Sequence, residues 1–430
     1  MTSLSLLLWI VSGIVLQLAI FLGIGLWRHW LAYYDLLSRA EELNLTVVQE
    51  VSRGTEEIAV AAWPGFRTFR VDRKVVEDAA RSICSFYLMP EDGQPLPPFL
   101  PGQFLTFRLD IPAADGGTEQ VIRCYSLSDA PRPDCYRVAI KRMHPPEGIH
   151  VPPGLSSTFF HDQVAAGSLL QIRSPAGHFH IDRSGGPVVL IGGGIGITPL
   201  LSMLNWCLAE QPEREIWLFY GVRNGRELVM KSHLENLAAA HPNFHLRLCF
   251  GDPLPEDVAR QDYLHEGRID VNLLRMQLPL KPYHFYICGS APMLESLVPA
   301  LDEWGVPDAR IHFEAFGPTS IKRKQSATTS VAASQTGAPD TGIMDAGIIV
   351  TFAKSGKQLT WLPSSGNLLK FAESNGIAVK FGCRAGSCGT CQTTIHAGEV
   401  AYRQLPDYDP EPGTCLLCSC TPKTSVTLEA

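Results

Sequence analysis

The chain has no excess of basic charge. Its 36 Lys and Arg are outnumbered by 43 Asp and Glu, giving a formal net charge of −7. That balance offers no electrostatic footprint for a phosphate backbone, so nucleic acid is not an expected partner. Cysteine is also sparse for a disulfide scaffold. Twelve in 430 residues is far from the dense pattern of small secreted domains. At 430 residues the chain is long enough for two to four domains with full-sized cores.

Charge is missing altogether from Leu4 to Trp27, 24 residues in which Gln17 is the most polar member. At ~1.5 Å per residue this run is about 36 Å of helix, enough to cross a hydrocarbon core of ~30 Å with some tilt. A cleaved signal peptide is the alternative. It wants a basic n-region, and residues 1–3 carry no basic side chain. The pattern therefore predicts a transmembrane helix over 4–27. Arg28, His29 and Arg39 follow it, with Trp27, Trp30, Tyr33 and Tyr34 at interfacial positions. Basic flanks stay on the cytoplasmic side, so the bulk of the chain is expected to face the cytoplasm from a single-pass anchor in the cell membrane. Residues 28–63 read as a juxtamembrane helix and connector.

Short alternating runs then begin: FRVDRKVVED, SICSFYLMP, QFLTFRLDI, YRVAIKRM and LLQIRSP, separated by turn clusters such as EDGQPLPP. They predict an antiparallel barrel or sandwich over 64–183. From Gly186 strands alternate with helices, as in PVVLIGG followed by LLSMLNWCLAE, which predicts a parallel α/β sheet over 186–317. Residues 318–346 have no apolar period and are rich in Ser, Thr, Ala, Gly and Pro, the composition of a flexible linker. A last domain follows over 347–430. It opens with a hairpin and a short helix, NLLKFAESNG, in which Gly376 suits the position after the C-cap.

Within that last domain Cys383, Cys388 and Cys391 fall in nine residues with C-x4-C-x2-C spacing. Gly386, Ser387 and Gly389 lie between them and let the backbone curl so that amides turn toward sulfur. This is the ligand spacing of a plant-type [2Fe–2S] cluster, in which four thiolates hold two irons. A zinc site is the alternative, though zinc usually takes paired CxxC knuckles. The fourth thiolate comes from Cys415, Cys418 or Cys420. Thiolates that hold iron point to a reducing compartment.

Five further motifs carry chemistry. In RCYSLS, Arg123 suits a phosphate, Tyr125 an aromatic ring and Ser126 a ring nitrogen. In GLSST, Ser157 and Thr158 with their amides suit a pyrophosphate. GGGIGITP stands between a strand and a helix, where its glycines let a diphosphate approach. Thr198 is expected to cap that helix, with Pro199 at its first position. CGSAPM and HFEAFG place Cys288, Glu314 and Phe316 at the ends of later strands.

RCYS, GLSST, SPAGHF, GGGIGITP, YGVRN, CGSAPM and HFEAFG, in this order, resemble the ferredoxin–NADP⁺ reductase superfamily, above all the reductase portion of flavohaemoglobins. IIVTF through CRAGSCGTC to CLLCSCTP resembles a plant-type ferredoxin domain. Reductase first and ferredoxin last is the order in phthalate dioxygenase reductase and its relatives. The resemblance spans about residues 64–430 and implies a multidomain fold: a β-barrel flavin domain, a doubly wound nicotinamide domain and a β-grasp cluster domain. It implies that Arg123, Tyr125 and Ser126 bind the flavin, with Ser157 and Thr158 at its phosphates. Gly193, Gly194, Gly196 and Thr198 would bind the nicotinamide nucleotide. Ser126, Cys288 and Glu314 would line the hydride path, with Phe316 against the flavin ring. FAD is favoured over FMN by the HFEAFG tail. Thr158, Phe159 and Cys124 depart from the residues common in relatives.

Ferredoxin-like domains of this kind place a Pro four residues after the last ligand. Pro422 stands four after Cys418, so the resemblance implies Cys418. Gly251 and Asp252 stand where NADPH-dependent relatives often have a Ser-Arg pair, which favours NADH, while Arg223 and Arg226 pull toward NADPH. The implied activity is electron transfer from NAD(P)H through FAD and a [2Fe–2S] cluster to a partner protein. That partner would be a membrane-associated oxygenase, hydroxylase or desaturase. Reduction of a quinone or another diffusible acceptor, and a membrane-tethered redox sensor, are the alternatives. Residues 28–64 are too few to hold a globin, which disfavours nitric oxide dioxygenation.

Overall fold

The computed structural model describes residues 63–112, 116–145, 152–316, 347–384, 386, 388–402, 406 and 408–430. The expected transmembrane helix, the juxtamembrane helix and the 318–346 linker lie outside the described residues. Among those described, no helix is long and apolar enough to cross a membrane.

Six strands form the first sheet: β1 (Arg67–Val76), β2 (Ile83–Pro90), β3 (Phe104–Pro112), β4 (Thr118–Ser126), β5 (Tyr136–Lys141) and β6 (Leu169–Ala176). Their order is β4-β3-β6-β1-β2-β5, with every neighbour antiparallel. The alternation read from sequence is the cause. On β1, Phe69 and Val71 are buried while Arg70 and Asp72 face out, until a bulge between Val71 and Arg73 shifts the register. Phe69, Phe86, Phe107, Tyr136 and Phe160 fill the core, with the rings of Phe86 and Phe107 edge-on to Phe160. Phe160 comes from α1 (Leu155–Asp162), which closes one end of the sheet.

The second sheet is all parallel: β7 (Val188–Gly193), β8 (Ile216–Val222), β9 (Phe244–Phe250), β10 (His265–Glu266), β11 (His284–Gly289) and β12 (Ile311–Ala315). Helices α2 (Ile197–Glu210), α3 (Lys231–Ala240), α4 (Val271–Gln277) and α5 (Ala291–Trp304) lie between them. The order β10-β9-β8-β7-β11-β12 runs outward from β7 in one direction and then resumes on its other side. The topological switch point is therefore between β7 and β11. Open α/β sheets bind ligands at the carboxyl ends of the strands flanking such a point.

The barrel and this sheet are closely tied. Arg214 donates to the Asp182 carboxylate (3.1 Å) and to its carbonyl (2.9 Å), and the Tyr286 hydroxyl donates to the same carboxylate at 3.0 Å. Ser202 and Asn205 of α2 both donate to Asp129, each at 2.7 Å. The backbone adds Ala80 N–H to the Arg226 carbonyl and Met230 N–H to the Glu77 carbonyl.

The third sheet has the order β14-β13-β19-β15-β17. Its strands are β13 (Ile348–Phe352), β14 (Lys357–Trp361), β15 (Gln392–Ala397), β17 (Thr414–Leu416) and β19 (Val426–Leu428). A separate pair joins β16 (Val400–Tyr402) to β18 (Cys420–Pro422). Helix α6 (Leu368–Ser374) packs Leu368, Leu369 and Phe371 into this core. It ends at Asn375, and Gly376 takes the left-handed conformation (φ +66°) at the position the sequence marked for it.

Candidate active site and cluster loop

The parallel register lines up two of the expected residues with the first glycine of GGGIGITP. Cys288 on β11 lies opposite Gly192 on β7 and opposite Glu314 on β12. Each is the second-to-last residue of its strand, at the switch point. Beyond them, β7 runs into a single 3₁₀ turn, Gly194–Gly196, and then α2. Gly196 touches the next strand so closely that a Cβ there would stand 2.2 Å from the Cys288 carbonyl oxygen. Gly194 has φ +54° and open space around its missing side chain, a place where backbone can meet a ligand. Gly193 lies against Gly289 and Met293.

Thr198 does not cap the helix. Because the 3₁₀ turn carries the chain in, α2 begins at Ile197 with Gly196 as its N-cap and no side-chain capping bond. The Thr198 hydroxyl instead donates back to the Ile195 carbonyl at 3.0 Å, and Pro199 is the third helical residue rather than the first. No side chain caps this first turn, but its Ile197 amide already donates to the Gly194 and Ile195 carbonyls and Pro199 has no N–H, so the approach to a diphosphate is made by the glycine turn itself.

On the barrel side, Tyr125 and Ser126 end β4, paired with Leu105 and Phe104 of β3. The Tyr125 hydroxyl is 2.9 Å from the Ser156 hydroxyl on α1, and burial pushes Tyr125 up to about 12. Arg123 donates to the Ile122 carbonyl at 2.8 Å. The Ser157 hydroxyl is already used, donating to the Gly154 carbonyl (2.9 Å) and accepting from the Met143 amide (3.1 Å). What α1 offers a phosphate is therefore its uncapped first-turn amides rather than that hydroxyl. The Thr158 hydroxyl is buried without a partner.

Glu314 has a buried carboxylate oxygen, Oε2, with no partner. Burial, with the nearby Cys383 adding to it, pushes its carboxyl up to about 8. Phe316 is 41% exposed, its ring uncovered beside the strand ends. Orphaned buried polar atoms and an exposed ring around uncapped helix starts are what a site shaped for a flat, phosphorylated cofactor leaves when described as protein alone.

The cluster loop separates the candidate thiols. Cys391 Sγ and Cys418 Sγ are 3.1 Å apart, and the Gly386 amide donates to Cys418 Sγ at 3.3 Å. The Cys383 amide donates to Cys388 Sγ at 3.2 Å. Cys383 in turn lies within hydrogen-bonding reach of Cys418. Cys415 and Cys420 are fully buried and pair with each other. The four sulfurs that converge are thus those of Cys383, Cys388, Cys391 and Cys418. Among the described residues no group of three or more His, Cys, Asp or Glu is set for one metal ion. A binuclear cluster asks instead for two thiolates per iron, and the Cys383–Cys388 and Cys391–Cys418 pairs fit that demand.

Residues 352–423 match the 2Fe-2S iron-sulfur cluster binding domain family, and residues 190–298 the oxidoreductase NAD-binding domain family. A flavohemoprotein of Halalkalibacterium halodurans is 36% identical over 292 residues, covering 67% of this chain and 68% of that protein. The chain belongs to the flavohaemoprotein family. A solved flavohem-like FAD/NAD-binding domain of nitric oxide dioxygenase from Vibrio cholerae is 32% identical, with a TM-score of 0.51. It covers 59% of this chain and all of that one. An intact type IV self-sufficient cytochrome P450 monooxygenase shares the fold over 85% of this chain and 41% of its own, at 23% identity and a TM-score of 0.52. This flavohaemoprotein relative spans only 62% of the Bacillus cereus flavohemoprotein. It is an NAD(P)H-dependent oxidoreductase that uses FAD and a [2Fe–2S] cluster.

Two residues that join the barrel to the cluster loop are not among the expected site residues. Arg173 precedes SPAGHF and looked like one more strand residue. Its guanidinium donates to the Cys388 carbonyl at 2.8 Å. Cys124, noted only as a departure within RCYS, lies within hydrogen-bonding reach of Cys383 and Cys388, and burial pushes its thiol up. Nothing local in the sequence signals either contact, since both join segments more than 200 residues apart.

Proposed function

We propose that this protein is a membrane-anchored reductase component that passes electrons from NADH to a partner oxygenase, hydroxylase or desaturase. The observation that carries this reading is the meeting of the cluster loop with the flavin strand, Cys383 and Cys388 beside Cys124. A bound FAD would supply the conversion of two-electron hydride chemistry into single-electron transfer toward the cluster. Tyr125 and Ser126 would hold the flavin ring, and Arg123 with the α1 amides its phosphates. Gly193, Gly194 and Gly196 let the nucleotide diphosphate approach the start of α2, with Thr198 in its first turn. Cys288 and Glu314 would border the nicotinamide and shield it from water, and Phe316 would cover the flavin. Cys383, Cys388, Cys391 and Cys418 would ligate the irons.

NADH is favoured over NADPH. Arg223 pairs with Glu227 and Arg226 with Glu256, so each cation already faces a carboxylate. Residues 4–27 would anchor the chain in the cell membrane, with the catalytic domains on the cytoplasmic side and the acceptor in or on the same membrane.

Steady-state oxidation of NADH with cytochrome c as one-electron acceptor tests the reading. Sustained turnover by the wild type that collapses in a cluster-free variant supports it. Cluster reduction without turnover favours a redox sensor, and turnover that persists without the cluster favours direct reduction of a diffusible acceptor at the flavin.

A further inference from the structure

Three barrel residues stand side by side across neighbouring strands. Thr106 on β3 is opposite Cys124 on β4 and opposite Arg173 on β6. Residues directly opposite on neighbouring strands present side chains to the same face, so the three form one row. The Thr106 hydroxyl is 3.3 Å from Cys124 Sγ. The cluster loop lies on this row: Cys124 reaches Cys383 and Cys388, and Arg173 Nη1 donates to the Cys388 carbonyl.

Arg173 is held between rings from both domains. Its guanidinium lies 4.8 Å from the Phe66 ring centre and 5.3 Å from that of Tyr408. Tyr408 is itself fixed to the cluster loop. Its amide donates to the Gly386 carbonyl at 3.1 Å, and its ring covers Gly389, where a Cβ would come within 2.5 Å. The described cluster-domain contacts of Arg173 are thus made to the loop that carries the cysteines and to the ring that covers it. Arg173 Nε is buried without a partner. An arginine placed there for surface solubility would keep its head in water. Here Nε is buried and the half-buried side chain meets a carbonyl and two rings.

We propose that Arg173 is a positioning residue that latches the cluster domain onto the barrel, holding the cluster loop against Cys124 for electron transfer. The proposal rests on the reductase reading. Its consequence is electrostatic as well as geometric. A guanidinium on the backbone of a ligand cysteine favours the cluster form carrying the additional electron, so the docked cluster is the better acceptor. On release from the latch that preference falls, and the electron is handed on more readily.

The test compares the full-length holoprotein with Arg173→Gln and Arg173→Lys variants. Three readouts are taken: stopped-flow flavin bleaching by NADH, the cluster potential from an EPR-monitored redox titration, and deuterium uptake of the β4 segment around Cys124. In Arg173→Gln, flavin bleaching keeps the wild-type rate and the cluster potential moves down. Cluster reduction slows by about tenfold or more, since small misplacements of reacting groups are costly, and β4 exchanges faster. Arg173→Lys restores part of the potential through its charge but little of the rate, lacking the planar fork. Unchanged potential, uptake and cluster reduction in Arg173→Gln would overturn the latch. Failure of the reductase reading looks different: NADH would then bleach neither centre in the wild type.

Discussion

Where the barrel meets the nicotinamide domain, a buried arginine, a carboxylate, a tyrosine hydroxyl and several backbone bonds close the seam; where it meets the cluster domain, the described bonds centre on Arg173 and Cys124. The first seam holds its ion pair deep. Burial works against the Asp182 carboxylate, yet the Ser184 hydroxyl and Arg214 outweigh it and hold Asp182 down to about 2. The second uses a carbonyl and aromatic faces, contacts that can form and part without stranding a charge pair. Hydride transfer needs two rings kept in fixed register, whereas a carrier of single electrons must reach both its donor and its acceptor. A rigid seam and a releasable one suit those two tasks.

Removing the cluster gives the largest separation between the two seams. Cys418→Ser is expected to abolish the cluster's visible and EPR signals while NADH still bleaches the flavin. Cys415→Ser and Cys420→Ser are expected to keep both. Iron content and EPR of the purified variants check this.

Asp182→Ala comes next, because it strands Arg214, whose side chain is only 1% exposed. Breaking such a pair costs about 3–5 kcal/mol, read as a lowered midpoint in denaturant unfolding. The sign with pH follows from the depressed value. The Asp182 contribution is complete above its ordinary value of 3.8 and is lost as pH falls through about 2. The wild type should therefore lose this part of its acid stability and the variant should not.

Gly196→Ala presses a methyl into the Cys288 carbonyl. Overpacking of this kind costs about 1–3 kcal/mol, and the displaced turn should raise KM for NADH more than it lowers kcat. The smallest effect is expected from Arg223→Ala with Arg226→Ala. Exposed ion pairs are worth about 0–1 kcal/mol, so stability and the preference for NADH should both change little. A large loss of NADPH turnover with NADH turnover spared would reverse the assigned preference.

Much of the fold was legible because it is written in short-range periodicity. Alternation gave the barrel strands, strand–helix alternation gave the parallel sheet, and the cysteine spacing marked the cluster loop. The details that differed are tertiary. Thr198 suits an N-cap by residue type, but the 3₁₀ turn ahead of it starts the helix one residue before it. Ser157 looked like a phosphate donor, but its hydroxyl is spent within its own loop. Among Cys415, Cys418 and Cys420 the resemblance already implied Cys418 through Pro422; what it did not show is that Cys418 stands between β17 and β18 with its sulfur beside that of Cys391, while Cys415 and Cys420 lie buried on those strands. The Asp182–Arg214 pair and the Arg173–Cys388 contact carry no local signature, because each joins two domains.

Anaerobic stopped-flow mixing with NADH, followed at flavin and cluster wavelengths together, tests the central claim most directly. The account expects the flavin absorbance to bleach first and the cluster absorbance to follow, in the wild type and without any added acceptor. Cluster reduction that precedes flavin reduction, or no bleaching by either NADH or NADPH, would contradict it.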